Sequence, residues 1–325
     1  MSEPRRAPAA WATAARFAAS ATLLWLVFRR VDAGAVFAQL GELRPGWVAL
    51  ALAVTVLQVS LLAWRWRFTT ARLGVDLPFR TALGEYYLGI LANQVLPGGV
   101  LGDLSRAWRH ARSGAPTGSA VRAVILERAS AQVVMTLTAC VSAVWLLIEA
   151  YRLRMSGPGA VALYVVVALV AAAGVALALG ARWFARHPSP DTATGRLRTD
   201  ARHALLAREA FTAQLLSALA VVVSYVAVFV IAARAVGVTA PLVIMLPLVA
   251  PILMSMLVPV TVAGWGIREV AAAALWSFAG MTPEDGATVS VAYGLIVLVS
   301  SAPGALPLIA MLRGGRGRRA RLPRE

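Results

Sequence analysis

The chain has 325 residues and a mass of 34.2 kDa, with 59% hydrophobic residues, 14% charged residues and a mean hydropathy of +0.73. Soluble domains carry roughly 25% charged residues, so this composition excludes a cytosolic enzyme with a loop-borne site, a secreted disulfide scaffold and a free nucleic-acid binder. It points to a polytopic membrane protein. The net charge of +16 comes from 31 basic residues, all arginine. Most lie in short stretches between apolar runs, as in the cytoplasmic loops of membrane proteins, where they suit anionic lipid head groups. Cys140 is the single cysteine, which leaves no internal disulfide and no cysteine metal cluster.

In chain order, Arg5, Arg6 and Arg16 precede an apolar stretch, Phe17–Phe28. Arg29 and Arg30 follow where a cleavable signal would carry small residues, so an uncleaved first span is expected. Crossing the hydrocarbon core takes about 20 apolar residues. Six segments qualify: Trp11–Phe28, Gly46–Trp64, Ala129–Ile148, Gly159–Gly180, Ala210–Ala233 and Ala287–Leu312. The first is the weakest because it contains Arg16.

Two further apolar stretches are badly shaped for ordinary spans. In Thr81–Ser105, Pro97-Gly98-Gly99 should end a helix begun near Thr81. The limb before it rises only about 24 Å, short of a ~30 Å core. Arginines flank both ends, so a re-entrant hairpin is expected. Ala235–Ile267 carries no charge and holds Pro241, Pro247, Pro251 and Pro259; Arg268-Glu269 follows at once. Two half-helices meeting at Val258–Gly266 are expected there. Trp47, Trp64, Trp66 and Trp183 read as interfacial anchors at span ends.

The expected fold is therefore an all-α polytopic bundle, one membrane domain over residues 1–325, with about six full spans plus two re-entrant or broken-helix hairpins. Placing both termini in the cytoplasm puts 24 of the 31 arginines in the pieces 1–16, 65–80, 101–128, 181–209 and 313–325, the last a basic tail. The hairpins then face opposite sides, giving an inverted repeat of 11–148 and 159–312, an architecture of alternating-access transporters. Pro97, Gly102 and Arg106 recur as Pro259, Gly264 and Arg268, each 162 residues later.

Charges at membrane depth cost at least ~2.5–3.5 kcal/mol and mark function by default. Arg268-Glu269 is the clearest case; Glu127-Arg128 opens a span, and Asp103 and Arg106 are spaced to pair on one helical face. Glu85, eight residues before Asn93, reads as structural. Gly98, Gly99 and Gly102 allow close approach of a ligand, with a half-helix N-terminus beyond them suited to an anion. They serve equally well as a tight surface turn. His110, His187 and His203 lie in or beside basic loops without metal-ligand spacing and read as solvated, and Cys140 as packing. A phosphate loop ending in Gly-Lys is excluded by the absence of lysine. No catalytic set, metal or cofactor is expected.

NQVLPGGVLGDLSRAW at Asn93–Trp108, AVILER at Ala123–Arg128 and VPVTVAGWGIREVA at Val258–Ala271 resemble the transmembrane, flippase-like domain of bacterial lysylphosphatidylglycerol synthases, as in multiple peptide resistance factors. The resemblance runs from about Phe17 to Leu312. It implies a bacterial inner-membrane protein that moves a phospholipid or lipid-linked head group between leaflets. The substrate-binding residues it implies are Asn93, Pro97, Gly98, Gly99, Gly102, Asp103, Arg106, Glu127, Arg128, Gly264, Gly266, Arg268 and Glu269. Val260-Thr261 departs from the family's pattern, where a second glycine pair would follow the proline. With 13 residues after the last span, the cytosolic synthase domain is expected to be absent, and its transferase activity with it. The alternatives are a membrane-embedded enzyme acting on lipid-linked substrates and an accessory subunit. The partners are anionic or glycosylated lipids, a second copy of the chain, or a cytoplasmic synthase or glycosyltransferase; no nucleic acid is expected.

Overall fold

A computed structural model describes residues 7–96, 101–152, 158–186, 192–258 and 260–311. Among these the chain is helical throughout, with no strand, as the composition requires: in lipid every backbone amide must find its partner within the segment. The first half runs α1 (Ala7–Arg30), α2 (Ala33–Gly41), α3 (Pro45–Arg72), α4 (Phe79–Val95), α5 (Leu101–Arg112) and α6 (Thr117–Arg152). The second runs α7 (Pro158–Arg186), α8 (Ala193–Ala201), α9 (Arg208–Ala235), α10 (Leu242–Ser255), α11 (Ile267–Phe278) and α12 (Pro283–Ser300). A π-helical turn, Arg202–Leu206, joins α8 to α9, and a short 3-10 turn, Ala302–Gly304, extends α12 before helix resumes at 305–311. The order long, short, long, broken pair, long thus occurs twice.

Among the described residues, five helical segments are long and apolar enough to cross a membrane: Pro45–Arg72, Thr117–Arg152, Leu163–Trp183, Arg208–Ala235 and Pro283–Met311. The protein is a helical, multi-pass membrane bundle. The first expected span is a helix of 24 residues, Ala7–Arg30.

Both anomalous stretches are broken. α4 stops at Val95, Leu96 turns extended, and a separate helix begins at Leu101; Pro97, Gly98 and Gly99 lie outside the described residues. Asn93 meets Gly102 near the break while Glu85 pairs with Arg109 further along, so α4 and α5 form an antiparallel hairpin. The two helices touch through glycine: a Cβ on Gly102 would overlap the Gly89 carbonyl oxygen. In the second stretch the prolines divide their work. Pro247 and Pro251 are absorbed inside α10, and Pro241 sits at its N-cap. Each internal proline removes a ladder hydrogen bond at a cost of ~3 kcal/mol. The surrounding packing offsets this, with Met245, Leu248, Val249 and Ile252 all fully buried. The true break is 256–266, where Ala263, Gly264 and Gly266 all adopt positive φ; Pro259 lies outside the described residues.

Each hairpin has its own core. Trp66, Tyr86, Ala107 and Val124 pack between α3, α4, α5 and α6. Phe229, Met245, Leu248, Trp276 and Tyr293 pack between α9, α10, α11 and α12. The halves interlock through α3 against α9, α6 against α10, and the end of α12 against α4. Small residues bring helices close, as membrane helix packing favours: Gly304 rests on the backbone of Tyr87 between the halves, and Gly286 on that of Ala272 within the second.

Candidate functional site: a charged cavity between two broken helix pairs

Between the two cores lies a cavity of about 370 Å³, walled by α3, α4, α6, α9, α10, the 256–266 turn, the start of α11 and α12. Its polar lining includes Gln58, Asn93, Gln94, Glu127, Arg128, Gln132, Thr261, Arg268 and Ser300, and the remainder is largely apolar. The helices are longer than the apolar runs that announce them, and this is what brings charge to the cavity. α6 starts twelve residues before Ala129, so Glu127 and Arg128 stand well inside a helix.

On the first hairpin's side, four charged groups form one network. Arg128 donates through Nε and Nη2 to Asp103 Oδ1 at 3.0 and 2.8 Å. Arg106 donates through Nε to the same oxygen at 3.0 Å and through Nη2 to Glu127 Oε2 at 2.8 Å. The Arg106 guanidinium is buried, stacked 4.2 Å from the Tyr86 ring and 4.7 Å from that of Trp66. The Arg128 side chain keeps 41% of its surface exposed and lines the cavity. Glu127 Oε1 is buried with no partner among the described residues.

The second hairpin repeats the theme with fewer members. Arg268 donates to Glu269 Oε1 from Nη2 at 2.7 Å and from Nε at 3.1 Å, and from Nε to Ser290 Oγ at 2.9 Å. The Ser290 hydroxyl in turn donates to Glu269 Oε1 at 2.9 Å. Glu269 Oε2 accepts the Gly266 amide at 2.7 Å, closing the first turn of α11. Arg268 stacks at 5.2 Å from both Trp265 and Tyr293. Room for it exists only because position 294 is glycine: a Cβ there would collide with the guanidinium.

Of the expected residues, Asn93, Glu127, Arg128, Gly264 and Arg268 line the cavity together. Asp103, Arg106 and Glu269 stand behind its wall as ion-pair partners. Gly102 and Gly266 are approach points between helices. The Gly102 amide is taken by Asn93 Oδ1 at 2.8 Å, and a Cβ on Gly266 would lie 2.6 Å from Leu23 Cβ on α1. Glu85 pairs with Arg109, in keeping with a structural part.

Three expectations need correction. Arg65, counted with a cytoplasmic loop, is fully buried inside α3, which runs on to Arg72. Trp66 is a core residue under Arg106, not an interfacial anchor. His110 is buried and packs edge-on to Trp66 at 5.7 Å rather than lying in solvent. Gln58, Gln132, Tyr225 and Tyr293 join the lining unannounced, although an amide within an apolar span was the signal for the first two. Ser20 on α1 was also missed: its hydroxyl accepts the buried Val262 amide at 2.8 Å and so completes the second break from a distant helix. Ser20→Ala should lower stability by about 1–3 kcal/mol, the cost of a buried unsatisfied amide. The thermal midpoint in detergent reads this, and an unchanged midpoint would mean another acceptor serves Val262.

Residues 13–304 match the family described as Lysylphosphatidylglycerol synthase TM region. The chain belongs to that family. Both broken pairs, the cavity and every ion pair around it fall inside the matched span. Compared with curated proteins, the chain matches none. Membership in this family and the spanning helices make it a multi-pass membrane protein related to lipid handling.

Proposed function

We propose that this family member translocates a phospholipid or lipid-linked head group between leaflets, the head group passing through the cavity while the acyl tails stay in the bilayer. The observation that carries this reading is a cavity bordered by both broken helix pairs and lined by Arg128, Glu127 and Arg268. Buried charge is costly and is retained in membrane proteins where polar cargo or ions pass. Arg128, half exposed and already oriented by Asp103, would hold a phosphate oxygen. The unpartnered Glu127 Oε1 would accept a head-group donor.

The twice-run element order supports a repeat of 11–148 and 159–312; the arginine distribution supports its inversion, with both termini cytoplasmic in a bacterial inner membrane. A homodimer, or docking of a cytoplasmic synthase or glycosyltransferase, belongs to the same proposal. With Cys140 replaced, single cysteines at 99 and 264 are expected to label from opposite faces of the membrane; labelling from one face removes the inversion.

Transport itself is tested in proteoliposomes by following fluorescent lipid between leaflets. Loss of one charge-assisted contact costs ~1.5–3 kcal/mol, so Arg128→Gln should slow transfer by about ten- to a hundredfold. Equal rates for the variant and the intact protein would defeat the reading.

A further inference from the structure

Arg65 is the one buried arginine around the cavity that forms no direct ion pair among the described residues; the nearby Glu127 is already paired with Arg106. It lies on the face of α3 that carries Gln58 and Leu62 to the cavity, one turn further along. All its described hydrogen bonds go to neutral groups. Nη1 donates to Gln214 O at 2.9 Å and Ser217 Oγ at 2.6 Å, and Nη2 to Ser130 Oγ at 2.6 Å; Nε has no partner among the described residues. Ser130 is hydrogen-bonded to the Glu127 carbonyl, so the guanidinium sits against the turn of α6 that bears the cavity's carboxylate. Its neighbours cancel among themselves. Arg106 and Arg128 answer Asp103 and Glu127, Arg268 answers Glu269, and Arg109 answers Glu85. Arg65, Arg106, Arg128 and Arg268 therefore face three carboxylates, Asp103, Glu127 and Glu269, and one positive charge is left over.

We infer that Arg65 is a specificity-determining, positioning residue that sets the cavity to accept head groups of net negative charge: a phosphodiester without a compensating ammonium. This rests on the transport reading and extends it. The excess charge attracts a phosphate from behind the wall without touching it, since in a low-dielectric interior a charge one turn away is weakly screened. A zwitterionic head group brings no net charge to neutralise it, and a cationic one adds to the repulsion.

The test compares transfer rates of fluorescent phosphatidylglycerol, phosphatidylcholine and lysylphosphatidylglycerol in proteoliposomes holding the full chain. The ratio of two rates does not depend on how much protein is folded. The intact protein should favour phosphatidylglycerol over each of the others by about tenfold, one charge contact in affinity. Arg65→Gln should bring the ratio close to one, and Arg65→Lys, which keeps the charge, should restore most of it. A flat ratio in the intact protein, a preference for the cationic lipid, or an Arg65→Gln ratio equal to that of the intact protein overturns the inference. If no lipid moves even with the intact protein, the transport reading fails. Retention of phosphatidylglycerol over phosphatidylcholine by detergent-purified protein, measured by native mass spectrometry for the intact chain and the two variants, then decides the charge preference alone: loss in Arg65→Gln and recovery in Arg65→Lys sustains it, equal retention refutes it.

Discussion

Arg106→Ala is expected to destabilise the protein by about 3–5 kcal/mol, the usual cost of breaking a buried ion pair from one side. Its removal strands Glu127, which loses its 2.8 Å contact, and empties the slot between Trp66 and Tyr86. Asp103 keeps Arg128. The damage is therefore concentrated on one buried carboxylate, which yields a sharper prediction. Arg106→Met combined with Glu127→Met should be far less harmful than either single substitution, because matched apolar replacement of a buried pair is often neutral. Thermal unfolding in detergent of the two single variants and the double one checks this. A double variant at least as unstable as the sum of the singles would show that the pair is not a closed unit.

Gly102→Ala should be nearly as costly, for a reason that involves no charge. The added Cβ would overlap the Gly89 carbonyl oxygen and press within 2.8 Å of Asn93 Oδ1. Both obstacles are fixed: one is helical backbone, and the other is the cap that accepts the Gly102 amide. Relief requires the hairpin to spread, and forcing extra volume into packed structure costs typically 1–3 kcal/mol before the lost cap bond is added. Gly84→Ala on α4, the other limb of the hairpin, is the control. A Cβ there meets nothing within 4 Å, so relief of glycine's helix penalty should stabilise by up to about 1 kcal/mol. Comparable unfolding midpoints for the two variants would refute the close-approach account.

What the sequence could and could not announce follows from where each signal resides. The end of α4 at Val95 and the interruption between α10 and α11 were legible because proline and glycine in the sequence disfavour continued helix. Arg268-Glu269 was legible because charge inside an apolar run has no cheap explanation. Asp103 and Arg106 declared their pairing by spacing, and the pair is present at 3.0 Å. Arg65 and Trp66 were misread for the opposite reason. They sit where apolarity ends, and counting arginines assigns such positions to loops, whereas α3 continues to Arg72 and buries both. Pro247 and Pro251 also show the limit of local rules, since packing on all sides keeps α10 intact around them. Ser20 with Val262, and Gly89 with Gly102, are meetings through space, and no spacing along the chain encodes them.

Glycine on α12 and its extension has a mechanical consequence. Gly286 lies against the Ala272 backbone of α11, Gly294 gives way to Arg268, and Gly304 lies against the Tyr87 backbone of α4. One rod is thus clamped near its start by the second broken pair and beyond its end by the first. With no side chains between to act as springs, neither clamp can slip without main chain grinding on main chain. A tilt of one pair must travel along the rod to the other, so the two sides of the protein are geared together.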